Sequence, residues 1–186
     1  DTIRIIEEGL LGEKGSKVVL VGHGVGAWVS FIVALQRPEL VRGILGMAAD
    51  PDFTEELLMK KLPEEIKKRI MEDGKADIKW GTEIYPISKT LIEDGRNNLL
   101  LQGGRGSVNV NCPVRLVHGL RDEEVSYEYA YKLADNIQSP DVKVILIKNS
   151  FHSMENSIDM RTMVDCVQDL CDTFVGEYDL TTPGSG

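Results

Sequence analysis

Unbroken apolar runs alternate along this chain with longer stretches of helical period. Ile3, Ile6 and Leu10 recur on one side of residues 2–11, predicting a short amphipathic helix that Gly12 ends. Lys17–Val21 is a continuous apolar run of the kind buried on both faces of a parallel sheet. A glycine turn follows at residues 22–26. Ala27–Gln36 then reads as a helix apolar nearly all round, stopped before Pro38. Val41–Ala48 is a second buried strand.

The period changes at Asp50. Residues 53–61 and 63–73 read as two helices, the second with Pro63 at its start, Glu64 and Glu65 in its first turn and Gly74 past its end. Lys75 to Gly106 is mixed, with a helix expected near Ile87–Glu93 and a loop at Gly103–Ser107. Residues 50 to about 106 therefore read as an insertion over one edge of a sheet, the expected substrate lid.

Strands and helices alternate again from Pro113. Val114–His118 and Val142–Ile147 read as strands, and Tyr127, Ala130, Tyr131, Ala134 and Ile137 follow helical spacing between them. A last helix is expected from Ser157 to Val175, with Met160, Met163, Val167, Leu170, Cys171 and Phe174 inward. Residues 179–186 read as a disordered tail. The fold class is α/β: a parallel sheet flanked by helices, with a helical cap insertion in a single domain over residues 1–178.

Composition narrows the partners. Of 186 residues, 30 are acidic and 21 basic, giving a formal charge of -9. Nucleic acid is not an expected partner, because phosphate binding needs an excess of Lys and Arg on one face. The longest apolar stretch, Ala27–Leu35, is half the ~20 residues of a membrane span, and it holds Ser30. No signal or transit peptide is visible, although the chain begins at Asp1 and not at Met. Cys112, Cys166 and Cys171 are an odd set without zinc spacing, and they read as core thiols of a reducing compartment.

The chemistry gathers at the ends of the strands. Gly22-His23-Gly24-Val25-Gly26 lies between a buried strand and a buried helix, the setting of the nucleophile elbow Gly-x-Ser-x-Gly, with Gly24 at the serine position. A plain glycine-rich turn of a dinucleotide site is the other reading. Gly-x-Gly-x-Gly differs from the phosphate fingerprint, and no ribose-binding acid follows at the right range. Asp122 follows the third strand and His152 the last, both at the carboxyl edge where open α/β sheets place their sites.

The order elbow, acid, histidine is that of α/β-hydrolases. In that reading Asp122 fixes the imidazole tautomer, His152 is the general base and the Val25 N–H is an oxyanion donor. Asp50, just after the second strand, is the alternative acid. His23 and His118 read as structural, and Glu123 and Glu124 as solvated neighbours.

With these residues in hand, the chain resembles the palmitoyl-protein thioesterase branch of the abhydrolase-domain family of α/β-hydrolases. The resemblance lies in Val21–Trp28, Arg37-Pro38-Glu39, Leu62–Lys68, Asn111–Gly119 and Asp141–His152. It implies hydrolysis of acyl esters and thioesters, among them S-acylated proteins and acyl glucuronides, without a metal or organic cofactor and in the mitochondrion. It also maps the family's nucleophile to Gly24, the acid to Asp122 and the base to His152.

Two departures follow. Gly24 has no hydroxyl, so the acyl-enzyme of the family mechanism cannot form. The chain also starts one helix before the elbow strand. The earlier strands and the loop that supplies a second oxyanion N–H are therefore expected to be absent, leaving Val18–Val21 as an exposed apolar edge. Two function classes stay open: an esterase or thioesterase lineage altered at position 24, and a non-catalytic relative that binds acyl groups or proteins through the same cleft. A nucleotide-binding oxidoreductase lacks its fingerprint.

Overall fold

The computed structural model describes residues 1–10, 16–80 and 83–172. The end of the first helix at Gly12, the expected inward Phe174 and the expected tail at 179–186 lie outside those residues.

Helix α1 (Thr2–Ile5) continues into a π-helical turn at Ile6–Leu10. Strand β1 (Val18–His23), helix α2 (Val25–Gln36) and strand β2 (Val41–Met47) make the first β-α-β unit. Strand β1 runs past the expected Val21 to His23, and α2 begins two residues before the expected Ala27, because Gly24 alone makes the turn between them. After the inserted segment come strand β5 (Val114–Gly119), helix α5 (Glu128–Asn136), strand β6 (Val142–Ile147) and helix α6 (Ser157–Asp172). The four strands form one parallel sheet in the order β1-β2-β5-β6.

Parallel strands covered by helices must be apolar throughout, and β5 is buried at every position. On one face α2 and α5 pack through Ala27, Phe31, Ala34, Ala130 and Leu133 against Ile44, Val114 and Leu116. On the other, Leu45 and Val117 meet Cys166 and Leu170 of α6. Strand β1 lies at the edge of this sheet, with Val21 half exposed.

The inward stripe of α6 differs from expectation. Leu170 is buried, and Met163 and Val167 pack partly against the core, but Met160 and Cys171 are exposed, while Cys166 and Asp159 point inward. Cys166 is thus a core thiol, Cys112 is half-buried, and Cys171 is not in the core. In α5 the apolar spacing likewise overstates burial, since Tyr131 and Tyr127 lie on the solvent side.

The inserted segment builds its own small core from Leu58, Ile70, Ala76, Ile78, Ile87 and Ile92. It opens with a π-helical turn (Thr54–Met59) and helix α3 (Glu64–Asp73), which ends at Gly74 in the left-handed conformation. Next comes an antiparallel hairpin, β3 (Lys75–Trp80) and β4 (Glu83–Ser88), where no strand was expected. Ile87, expected to begin a helix, belongs to β4. Helix α4 (Lys89–Arg96) starts only after Ser88, whose hydroxyl caps the Leu91 N–H at 3.1 Å. Alternation of Ala76 and Ile78 with charged neighbours turns the apolar side of β3 onto the small core.

Three side chains tie the inserted segment down, Asp52 joining its two ends and Asn136 and Trp28 holding it to the helices on the sheet. Asp52 accepts N–H bonds from Leu100 at 2.6 Å and Leu101 at 3.0 Å. Asn136 donates to the Leu100 carbonyl, and Trp28 Nε1 donates to that of Asn98, both at 2.9 Å. The roof over the sheet edge is therefore anchored where it leaves and where it returns.

Candidate active site

Gly24 sits between β1 and α2 with φ 54° and ψ -122°, a left-handed conformation that strains any residue with a Cβ. The turn is clamped from three sides. Gly24 N–H donates to Met47 at 2.9 Å, and its carbonyl accepts from Ala27 at 3.1 Å and from Asp50 at 3.2 Å. Gly22 is required for a different reason: a Cβ there would stand 2.4 Å from the Gly26 backbone. Val25 opens α2, so its N–H belongs to the first turn, whose donors have no partner within the helix.

The acid loop begins at the end of β5. Gly119 lets that strand end press against Ser150, since a Cβ there would lie 2.3 Å from the Ser150 carbonyl oxygen. Arg121 N–H then donates to the same carbonyl at 2.9 Å, joining the Asp122 loop to the His152 loop. Asp122 Oδ1 accepts the N–H groups of Glu124 at 2.9 Å and Val125 at 2.8 Å. Its Oδ2 accepts from His152 Nδ1 at 2.9 Å and from His118 Nε2 at 3.1 Å. Burial alone would raise the Asp122 pKa, but the donors on His118, His152 and Val125 outweigh it and hold the carboxyl well below the usual range.

His152 therefore carries its proton on Nδ1 and turns Nε2 toward the elbow. A Cβ placed on Gly24 would lie 3.8 Å from that Nε2, so a hydroxyl on such a Cβ could come within hydrogen-bond reach. The hydrogen bond to Asp122 raises the imidazole pKa above its ordinary value, against the opposing effect of burial. An imidazole held in this way can take a proton from a group at position 24 and return it.

His118 and His23, expected to be structural, hold these groups through contacts that the sequence did not reveal. His118, wholly buried, also donates from Nε2 to the Val125 carbonyl at 3.0 Å, and its Nδ1 has no hydrogen-bond partner among the described residues. His23 Nε2 donates to the His152 carbonyl at 2.7 Å, and the two rings meet edge to face with centroids 4.9 Å apart. Behind His152, Ser150 donates to Asp159, and Asn156 Nδ2 donates to the Ser150 hydroxyl at 3.2 Å. The residue types gave only a weak hint, because these contacts cross loops and bring together residues distant in sequence.

Beside the elbow lies a cavity of about 370 Å³ lined by Gly24, Val25, Asp50 and His152, with Glu124 and Val125 at one side. The inserted segment supplies its apolar wall through Phe53, Leu57, Leu58, Ile78, Tyr85 and Ile87. Asp50 is not the partner of His152. Asp50 as a residue is 3% exposed, and its Oδ1 makes no hydrogen bond among the described residues. Burial pushes its pKa up to about 7, only partly opposed by the charges of His152 and Lys61. Glu123 and Glu124 are exposed, as expected. Among the described residues no cluster of His, Cys, Asp and Glu is arranged to hold a metal ion. No helix among them is long and apolar enough to cross a membrane.

The parallel sheet flanked by helices agrees with the comparisons. The mitochondrial palmitoyl-protein thioesterase ABHD10 of Pongo abelii is 34% identical over 175 residues, covering 92% of this chain and 55% of that protein. The solved structure of mouse alpha/beta hydrolase domain-containing protein 10 is 30% identical with a TM-score of 0.76, covering 93% of this chain and 67% of that one.

The chain belongs to the abhydrolase-domain family of α/β-hydrolases. A hydrolase structure from Agrobacterium vitis, 25% identical over 83% of this chain and 61% of its own, superposes with a TM-score of 0.75. No protein-family model matches the chain. This α/β-hydrolase chain spans about 55% of the length of the curated relatives it matches.

Proposed function

We propose that this chain is a binding member of an esterase and thioesterase lineage, holding acyl esters or thioesters in the cavity beside Gly24 without forming an acyl-enzyme. The observation that carries the reading is the glycine itself. Gly24 has the backbone conformation and the proximity to His152 Nε2 expected of a nucleophile position, yet offers no atom that can attack. The Asp122–His152 pair and the Val25 N–H keep the roles of acid, base and oxyanion donor in outline. The segment 50–106 acts as the lid, and its apolar wall suits a hydrocarbon chain.

From the resemblance, the ligands are S-acylated proteins and acyl-glucuronide-like esters, and the compartment is the mitochondrion. The curated relatives bear the name of a mitochondrial palmitoyl-protein thioesterase, which supports the S-acylated proteins and the compartment, while acyl-glucuronide-like esters rest on the resemblance alone.

The test is covalent labelling by a fluorophosphonate probe, followed by intact mass. The native chain is expected to stay unlabelled and Gly24→Ser to take up one probe per chain, with labelling lost in Gly24→Ser/His152→Ala. Labelling of the native chain, or persistent labelling of the double variant, would overturn the assignment.

A further inference from the structure

The cavity wall carries one group that neither the proton relay nor the lid uses. Asp50 lies immediately beyond the carboxyl end of β2 and is 3% exposed. It lines the cavity, and its Oδ1 has no hydrogen-bond partner among the described residues. Most of the cavity's lining is hydrocarbon, including Phe53, Leu57, Leu58, Ile78 and Ile87. A buried carboxyl oxygen left without a partner is costly, and a plain alkyl chain filling this space would leave it so.

We infer that Asp50 is a specificity-determining residue that selects an acyl group bearing a hydroxyl near its carbonyl end. A hydroxyl both donates and accepts, which matches a carboxyl that burial keeps protonated in a large share of molecules near neutral pH. Its distance from the reacting end follows from the backbone. Asp50 N–H bonds the Gly24 carbonyl at 3.2 Å, so the Asp50 side chain reaches only the first few carbons of a chain whose carbonyl sits at the elbow. The remaining carbons lie against the apolar wall; besides Asp50, the polar side chains among the described lining residues are those of Tyr85, Glu124 and His152. A site with a buried polar group discriminates strongly against the analogue that cannot satisfy it, whereas a purely apolar pocket does not.

This assignment rests on the acyl-binding reading above, and one titration separates the two. Isothermal calorimetry compares decanoyl- and 3-hydroxydecanoyl-N-acetylcysteamine thioesters on the native chain. The 3-hydroxy thioester is expected to bind about tenfold more tightly. In Asp50→Leu the preference is expected to disappear or to reverse in favour of the plain chain. Equal affinity of the native chain for the two thioesters would overturn the role of Asp50 while leaving acyl binding intact. Binding of neither would overturn both. A preference retained in folded Asp50→Leu would also assign the hydroxyl contact elsewhere.

Discussion

His118 and His152 donate to the same oxygen of Asp122, at 3.1 and 2.9 Å, from opposite situations. The His118 side chain is wholly buried, while that of His152 is 22% exposed at the cavity. One ring is part of the packing and the other faces the site.

The two histidines should therefore separate by experiment. His118→Ala leaves a cavity, removes a donor from Asp122 and strands the Val125 carbonyl, for an expected loss of about 2–4 kcal/mol. His152→Ala should cost less than about 1.5 kcal/mol, because solvent can replace much of what is lost. Denaturant midpoints of the two variants check this ordering. Equal losses would mean that His118 contributes nothing beyond its hydrogen bond.

A second prediction concerns proton transfer once a hydroxyl is supplied. In Gly24→Ser, fluorophosphonate labelling should fall as pH drops through the His152 pKa, since protonated imidazole cannot act as base. That midpoint should lie above the ordinary value of about 6.5, because the bond to Asp122 favours the charged ring. Gly24→Ser/Asp122→Asn should label more slowly, with its midpoint moved to lower pH. A midpoint that stays in place would show that Asp122 does not set the basicity of His152.

How far these relationships could be read in advance depended on their range. The parallel strands were legible because burial on both faces demands unbroken apolar runs such as Val114–His118. The elbow was legible because its glycines sit between one such run and a helix. The β3–β4 hairpin was not, since Pro86 in β4 argues against a strand. In a two-stranded ribbon, Pro86 opposite Asp77 can sit at an edge with no further ladder to interrupt. The helix expected over 53–61 was legible, but its π-helical turn at Thr54–Met59 was not, since apolar spacing does not separate the two helical forms. The Ser150–Asp159–Asn156 support and the shared oxygen of Asp122 depend on loop geometry, which apolar patterning does not encode.

The buried carboxyl of Asp50 should leave its mark on stability. Its pKa is about 7 in the folded chain and about 4 when unfolded, so the folded state holds the extra proton between those values. The stability this group contributes is complete below about pH 4 and is lost as pH rises through 7. Asp50→Asn has no such loss. Its stability relative to the native chain should rise by about 1–4 kcal/mol between pH 4 and pH 8, then level off. Urea unfolding of both proteins at several pH values gives the difference directly. A difference independent of pH would place an ionised, satisfied carboxylate at position 50.

The elbow glycines offer the last contrast, because each is required for a different physical reason. At Gly24 the backbone is left-handed, but nothing stands closer than 3.8 Å to an added Cβ. Gly24→Ser should therefore cost only conformational strain, about 1–3 kcal/mol, and the protein should still fold. At Gly22, where no positive φ is recorded, an added Cβ would lie 2.4 Å from the Gly26 carbonyl carbon and 2.5 Å from the Ala27 nitrogen. That clash is with backbone, which cannot turn aside as a side chain can. Gly22→Ala must push α2 away from β1, so its loss should exceed that of Gly24→Ser. Denaturation midpoints of the two variants decide it, and a serine variant more stable than the native chain would show that the turn at Gly24 carries no strain.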